Sequence, residues 1–384
     1  MDILGHTSIQ SILFFVLYGI TGVVPLMASV YLLLRRGNAF APDITPPVRL
    51  RRWAVAFFAV AALGHVWWYL FFIYSRDLES ASYVVVGVLD CVALLTTIAG
   101  TLLAMLQDRK RPVWPAFAAM IPCVVLGGLQ ILFPEKSLMN IATIYIFSIY
   151  VLFSVYMVFA VRQYGRWLND NYADLENKKV WLSQTVSLVC LLLFILYALV
   201  DADTILIYIL HVIELVLFAL LLWRVETLPL LESTSTEEAS PTLAPEETVM
   251  QDADVPTETQ QPTTTPVNIN LAQIEQLLKE HCVDTQLYLQ HDLTLQQLAQ
   301  AVGTNRSYLS QYFSRQGITY NIYINNLRIN HFISRYQEVA QTQQPFTVQQ
   351  LAIESGYRSY STFSRAFTQR MDQSVTAWMH ESTE

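Results

Sequence analysis

The sequence is poor in charged residues. Asp, Glu, Lys and Arg make up only 14% of its 384 residues, whereas 53% are apolar. A soluble domain of average composition carries about 25% charged residues. A single water-facing domain of this length is therefore excluded.

The residue patterns of metal and catalytic sites are also missing. The four cysteines, Cys91, Cys123, Cys190 and Cys282, are scattered, and none forms a CxxC pair. Such spacing supports neither a disulfide framework nor a zinc site. Because the sequence also has no phosphate-binding glycine loop and no nucleophile–base motif, it predicts no metal, no cofactor and no enzymatic activity.

Seven long apolar runs occupy the first part of the chain. About 20 residues in an α-helix cross the hydrocarbon core of a bilayer, and a helix satisfies its own backbone hydrogen bonds there. The runs therefore predict a seven-transmembrane helix bundle over residues 1–226. They cover residues 9–34, 53–74, 83–106, 113–133, 138–161, 181–200 and 204–223.

The basic residues of the loops predict the orientation of this bundle. Thirteen Lys and Arg residues fall in loops on one side of the predicted membrane, and only Arg76 and Lys136 fall on the other. Cytoplasmic loops carry an excess of Lys and Arg. We therefore expect the chain to start outside and to continue into the cytoplasm after Arg224.

Four ionisable residues lie within the predicted spans. They are His65 on the second span, Asp90 on the third, and His211 and Glu214 on the seventh. Such groups are costly in a membrane unless they are paired or face an internal cavity. His211 and Glu214 are three residues apart and share a helix face. Two interpretations stay open: a group that contacts a ligand or takes up a proton in sensing, or an internal hydrogen-bonded packing cluster.

Residues 227–269 predict a disordered acidic linker rich in Thr and Pro. This segment has eight acidic residues and no Lys or Arg. It has too few large apolar side chains to offset the entropy lost on ordering. A coil of roughly 40 residues has a typical reach on the order of 35 Å.

Helical patterns return in residues 270–384, where two similar units each consist of a short helix, a glycine turn and a second helix. In the first unit, Thr294 is placed to cap a helix over 295–302 and Asn305 to cap a helix over 306–316. Gly303 lies between these helices. The pattern is typical of a helix-turn-helix, in which glycine allows two helices to cross steeply.

The second unit repeats this pattern. Thr347 is placed to cap a helix over 348–355, Gly356 turns the chain, and Ser359 is placed to cap a helix over 360–370. A long helix predicted over residues 320–340 joins the two units. A separation near 34 Å would place both second helices in successive major-groove turns on one face of DNA.

Both units and the helix between them carry one combined pattern, at residues 294–299, 305–313, 317, 323–328, 351–352, 356–357 and 363–367. By this pattern the C-terminal region resembles the DNA-binding domain of AraC-type (AraC/XylS family) transcriptional regulators. The resemblance implies a seven-helix, two-lobed domain that reads the major groove of double-stranded DNA. It implies that Leu298, Ala299, Leu309, Phe313, Leu327, Leu351, Phe363 and Phe367 form two small cores. The resemblance covers residues 293–378.

The same resemblance implies which side chains face DNA bases. Arginine can pair with guanine and glutamine with adenine, while serine and threonine can bond several base edges. Arg365 is the strongest single candidate. The implied base-facing residues are Arg306, Ser307, Ser310 and Gln311 on the first recognition helix, and Tyr360, Ser361, Thr362 and Arg365 on the second.

The charge of this domain predicts weak DNA binding by a single copy. Residues 270–384 carry eight basic and nine acidic residues, although neutralisation of phosphates supplies much of the affinity for DNA. A homodimer, or several copies gathered in one patch of lipid bilayer, would raise the effective concentration of the domain.

Together these features predict an all-α, multi-pass protein of the bacterial inner (cytoplasmic) membrane that regulates transcription. Its seven-helix domain would sense a small-molecule or membrane stimulus, and its cytoplasmic C-terminal domain would bind DNA. Two alternatives stay open. The first is a membrane-tethered signalling protein whose helix-turn-helix domain binds protein, and the second is a transporter with a regulatory tail.

Overall fold

The structure, a computed structural model, is all-α over the residues that it describes, as the sequence predicts. These residues form two compact units, one within Met1–Gly165 and Asn177–Ser233, the other within Arg166–Glu176 and Thr234–Glu384. The described residues are 9–35, 38–42, 44–74, 81–176, 178–197, 204–231, 271–342 and 345–381.

Each of the seven predicted spans contains a helix. Six of the seven helices are long and apolar enough to cross a membrane, whereas α6, with 17 residues, is shorter. The crossing of a bilayer by all seven remains a prediction. The helices are α1 (Ile9–Leu34), α2 (Val48–Tyr74), α3 (Ala81–Ala104), α4 (Trp114–Leu132), α5 (Lys136–Asn171), α6 (Trp181–Tyr197) and α7 (Thr204–Thr227).

Large apolar side chains cover the outside of the first unit. Leu33 is 67% exposed, Leu152 70% and Phe159 63%. Water-soluble proteins rarely leave contiguous apolar surfaces of this kind uncovered. Hydrocarbon would solvate these side chains, so their exposure supports membrane association.

Within the first unit, α1 packs against α2 and α7, α2 against α3, and α3 against α4. The rings of Phe57 and Phe58 meet Phe218 of α7 at centroid distances of 6.1 and 5.9 Å. Gly100 of α3 lies against the Trp53 ring, and a Cβ there would be 2.3 Å from a ring carbon. A small residue thus allows two apolar helices to approach closely.

The chain just after α7 packs against loops of the same unit. Leu228 and Leu231 are buried, and the Gln107 side chain donates to the carbonyl oxygen of Pro229 and accepts from the backbone N–H of Leu231. The first residues of the predicted linker are therefore held in place. The rest of the predicted linker, from residue 232 to 269, lies outside the described residues.

The second unit contains seven α-helices among its described residues, the number that the resemblance implies. The first of them continues into one π-helical turn over Lys279–Val283 and is followed by a 3-10 turn over Leu287–Leu289. The helices are α8 (Leu271–Leu278), α9 (Leu295–Ala301), α10 (Arg306–Arg315), α11 (Tyr320–Thr342), α12 (Val348–Glu354), α13 (Tyr360–Met371) and α14 (Val375–Glu381).

Two apolar cores in the second unit share one helix. The first half of α11 contributes Tyr320 and Ile324 to one core, and its second half contributes Ile329 and Phe332 to the other. The long helix therefore ties the two lobes together. The predicted core residues occupy these clusters: Leu298, Ala299, Leu309 and Phe313 in the first, with Leu327 partly buried against it, and Leu351, Phe363 and Phe367 in the second.

Candidate nucleic-acid interface

The first helix-turn-helix consists of α9 and α10 and follows the predicted capping pattern. The Thr294 hydroxyl accepts from the backbone N–H of Gln297, whose side chain accepts from the backbone N–H of Thr294. The Asn305 side chain accepts from the N–H of Tyr308 and caps α10. Gly303, between the helices, has a φ of 73°, a conformation that glycine adopts without steric cost.

The second helix-turn-helix consists of α12 and α13, with Thr347 and Ser359 as their caps. Gly356 turns the chain at a φ of 88°, and a Cβ there would lie 2.8 Å from the backbone of Leu289. Glycine is therefore required both for its backbone angle and for a close approach. The predicted helices and caps of both units are confirmed, with ends that differ by one residue.

A buried arginine forms hydrogen bonds next to this turn. Arg328 of α11 is only 1% exposed. Its guanidinium donates to the carbonyl oxygens of Tyr288 and Gln290, both at 2.7 Å, and lies 5.5 Å from the centre of the Tyr357 ring. Arg328 thus connects α11 to the segment before α9 and to the residue after Gly356.

The eight residues that the resemblance assigns to DNA bases lie on α10 and α13. None of them is fully buried, so this part of the structure leaves their side chains at the surface of the domain. Ser307, Gln311, Tyr360, Ser361 and Arg365 are exposed, while Arg306, Ser310 and Thr362 are half-buried. Their contact with bases remains a prediction.

A carboxylate lies at the N-terminus of α13. The two oxygens of Glu176 accept from the hydroxyls of Ser359 at 2.6 Å, Ser361 at 3.0 Å and Thr362. Burial by itself would raise the pKa of Glu176, but these three hydroxyls and the charge of Arg365 hold that pKa below its ordinary value. The N-terminus of this helix is therefore an anion-binding position.

The N-terminus of α10 contacts Asn171, five residues before Glu176 in the chain. The Nε of Arg306 donates to the Asn171 side-chain oxygen at 2.8 Å. Residues 166–176 lie between two of the predicted spans, 138–161 and 181–200, and the sequence does not predict these contacts. Nothing in the local pattern indicates them, because the residues that meet are more than 130 positions apart.

In the first unit, three of the four predicted intramembrane residues enter a polar cluster between α1, α2 and α7. His65 lies 3.8 Å from Glu214 and 3.0 Å from the Thr21 hydroxyl. The ring of Tyr18 lies 5.0 Å from that of His65 and 6.0 Å from that of His211. Glu214 thus approaches His65 of another helix, whereas the sequence only places it on one face with His211.

Asp90, the fourth predicted residue, lies between α2 and α3. One of its carboxylate oxygens accepts from the Trp68 indole N–H at 3.2 Å. The other is buried and has no hydrogen-bond partner within the described part of the chain. It would lie 2.7 Å from a Cβ at Gly64, so this glycine permits the carboxylate to approach α2. A role for these four residues in sensing remains a prediction.

Comparison with known proteins identifies one region. A family model described as a helix-turn-helix domain matches residues 298–381. The match covers α10 to α14 and part of α9, and it supports the resemblance of this region to AraC-type DNA-binding domains. No curated protein and no solved structure matches the chain significantly.

Proposed function

We propose that this protein is a membrane-bound regulator of transcription. Its C-terminal domain binds double-stranded DNA in the cytoplasm, and its seven-helix domain holds it in a bacterial inner membrane and senses a small-molecule or membrane stimulus. In this proposal the domains comprise residues 1–226 and 270–384, joined by the acidic linker over residues 227–269, whose first residues pack against the first unit.

The observation that carries the proposal is the pair of helix-turn-helix units built on α11. Each unit has a capped second helix with exposed polar side chains, and the family match covers both second helices. A helix of this kind enters the major groove with its N-terminal residues near base edges. Sequence-specific DNA binding is the activity that this arrangement supports best.

The membrane domain contributes a polar cluster whose members come from several helices. His65, Thr21 and Glu214 meet across α1, α2 and α7, so a relative movement of these helices would change their contacts. A stimulus that binds one arrangement better than another would shift the population of states. In this proposal the cluster couples the stimulus to DNA binding by the C-terminal domain.

The domain's charge favours binding by more than one copy. It has nearly equal numbers of basic and acidic residues, so a single copy gains little from phosphate neutralisation. Two copies in one membrane would each raise the local concentration of the other at a paired DNA site. We therefore propose a homodimer as the DNA-bound form.

A salt-dependent binding assay tests DNA recognition. The full-length protein in lipid nanodiscs is mixed with random duplex DNA, and bound sequences are selected and their affinity measured. We expect Arg365→Ala to reduce the preference for the selected sequence by roughly ten-fold or more, because one bidentate arginine–guanine contact contributes about 1–3 kcal/mol of discrimination.

The matched control is Arg335→Ala. Arg335 lies on α11, where it pairs with Glu338 and Glu354. Its loss changes the net charge by the same amount, but the sequence preference should stay unchanged. Equal sequence preference in wild type and Arg365→Ala would contradict the assigned role of Arg365, and failure to select any sequence would contradict DNA recognition.

A further inference from the structure

The segment Arg166–Glu176 belongs to the same compact unit as the helix-turn-helix domain. Ala173 is 3% exposed and lies in the core of the first lobe. The Asn321 side chain donates to the carbonyl oxygens of Tyr172 at 3.1 Å and Ala173 at 2.5 Å. An isolated bridge also pairs Tyr172 with Thr294, the cap of α9. Several contacts therefore anchor this segment to the domain.

From this anchor the segment reaches both recognition helices. Asn171, in the middle of the segment, binds Arg306 in the first turn of α10. Glu176, at its C-terminal end, binds Ser361 and Thr362 in the first turn of α13. Three of the eight residues assigned to DNA, Arg306, Ser361 and Thr362, thus form hydrogen bonds with the segment Arg166–Glu176.

The chemistry of the α13 contact is that of a phosphate site. Helix N-termini and serine or threonine hydroxyls are frequent ligands of DNA phosphates. Here three hydroxyls at one helix N-terminus bind a carboxylate instead. The segment also carries three carboxylates and one arginine, so its net charge has the sign of DNA. Neither a base edge nor a phosphate could contact Ser361 and Thr362 while Glu176 occupies this position.

We propose that residues 171–176 are an internal competitor of DNA for the recognition helices. In the closed state, Asn171 holds Arg306 and Glu176 occupies the N-terminus of α13. In the DNA-binding state both contacts are broken. This inference rests on the proposed function, since it assumes that α10 and α13 read DNA, and it adds that the chain itself regulates their access.

Removal of one charge tests the competition. In full-length protein in nanodiscs, Glu176→Gln keeps the shape of the side chain but weakens its three bonds, because charge-assisted hydrogen bonds are roughly twice as strong as neutral ones. We expect affinity for the duplex selected by wild type to rise roughly ten-fold.

The matched control is Asp170→Asn. Asp170 is an exposed carboxylate of the same segment, and its loss reduces general repulsion of DNA by the same charge. Its affinity should stay within about two-fold of wild type, since exposed charges are screened. Equal affinities of Glu176→Gln and Asp170→Asn would overturn the proposal.

A cross-link tests the opposite direction and does not depend on a gain of affinity. Glu176→Cys and Ser361→Cys are combined and joined by a short bis-methanethiosulfonate reagent, with the two single variants as controls. The joined protein should bind the selected duplex at least ten-fold more weakly, and reduction should restore binding. Unchanged binding in the joined protein, or no joining at all, would overturn the competition while leaving DNA recognition intact.

If the protein does not recognise DNA at all, the same experiments give a different result. In that case Glu176→Cys and Ser361→Cys would join readily, but wild type, Glu176→Gln and the reduced protein would all show no preferred duplex. The contact would then exist without any competition with DNA, and the inference would fall together with the proposed function.

Discussion

At the scale of single residues, the burial of Arg328 departs from what its residue type predicts. An arginine that is 1% exposed costs free energy unless its donors are satisfied. Here two backbone carbonyl oxygens accept from it, and they belong to residues 38 and 40 positions earlier in the chain. Its role is structural, because it holds the segment before α9 against α11.

Replacement of this side chain should destabilise the C-terminal unit. Arg328→Met keeps much of the apolar stem but removes the donor to the buried carbonyl oxygen of Tyr288 and the partly buried one of Gln290, so we expect a loss of about 2–4 kcal/mol in the free energy of opening. Hydrogen–deuterium exchange of α11 amides in the full-length protein measures it.

Arg335→Met is the control for this measurement. Arg335 lies on the same helix with its ion pairs at the surface, and exchange in α11 should be close to that of wild type. Equal exchange in the Arg328 and Arg335 variants would show that the buried hydrogen bonds contribute little.

At the scale of elements, the two helix-turn-helix units look equivalent in sequence but differ in their surroundings. Both turns place glycine at positive φ. At Gly303 a Cβ would meet open space, whereas at Gly356 it would meet the backbone of Leu289 and the side chain of Arg328. Only at the second turn does the glycine itself lie against another segment.

This difference predicts unequal effects of alanine at the two turns. Gly303→Ala should cost about 1–2 kcal/mol, since only the left-handed backbone conformation is penalised. Gly356→Ala should cost roughly 1–3 kcal/mol more, because the backbone of Leu289 must also move. Hydrogen exchange of α10 and α13 in the two variants measures the two costs, and similar losses would contradict the close approach at Gly356.

At the scale of the whole molecule, the topology decides whether the proposed function can operate. The excess of Lys and Arg in alternate loops predicts that the chain after α7 is cytoplasmic. A green fluorescent protein fused at the C-terminus should therefore fluoresce in bacterial cells, and an alkaline phosphatase fused at the same point should be inactive.

The opposite fusion result would contradict transcriptional control by this chain. An active phosphatase and a dark fluorescent protein would place the helix-turn-helix domain on the side without DNA. As an internal control, the same reporters fused after Tyr74, in a loop predicted to lie outside, should give the reverse pattern.

Much of the architecture could be predicted from the sequence, because the relevant signals are local. Apolar runs of helical length predict α1 to α7, and the caps Thr294, Asn305, Thr347 and Ser359 predict the start of four further helices. The two lobe cores follow from the resemblance. Among the apolar helices of the described residues, only the described part of α6 is shorter than a membrane span.

The contacts between distant segments could not be predicted in the same way. The position of Glu214 relative to His65, of Glu176 relative to Ser359, and of Gln107 relative to Leu231 depends on how helices and loops pack. No periodicity or spacing in one segment specifies its partner in another, so these contacts required the structure.

The sequence by itself determined the helical class, the apolar first part, the acidic segment that follows it and the two capped helix-turn-helix units, since hydropathy, caps and glycines act within a few residues of chain. The tertiary structure decided which residues contact the N-termini of α10 and α13. Asn171 and Glu176 reach Arg306 and Thr362 across separations of 135 and 186 residues, and only packing can bring such positions together.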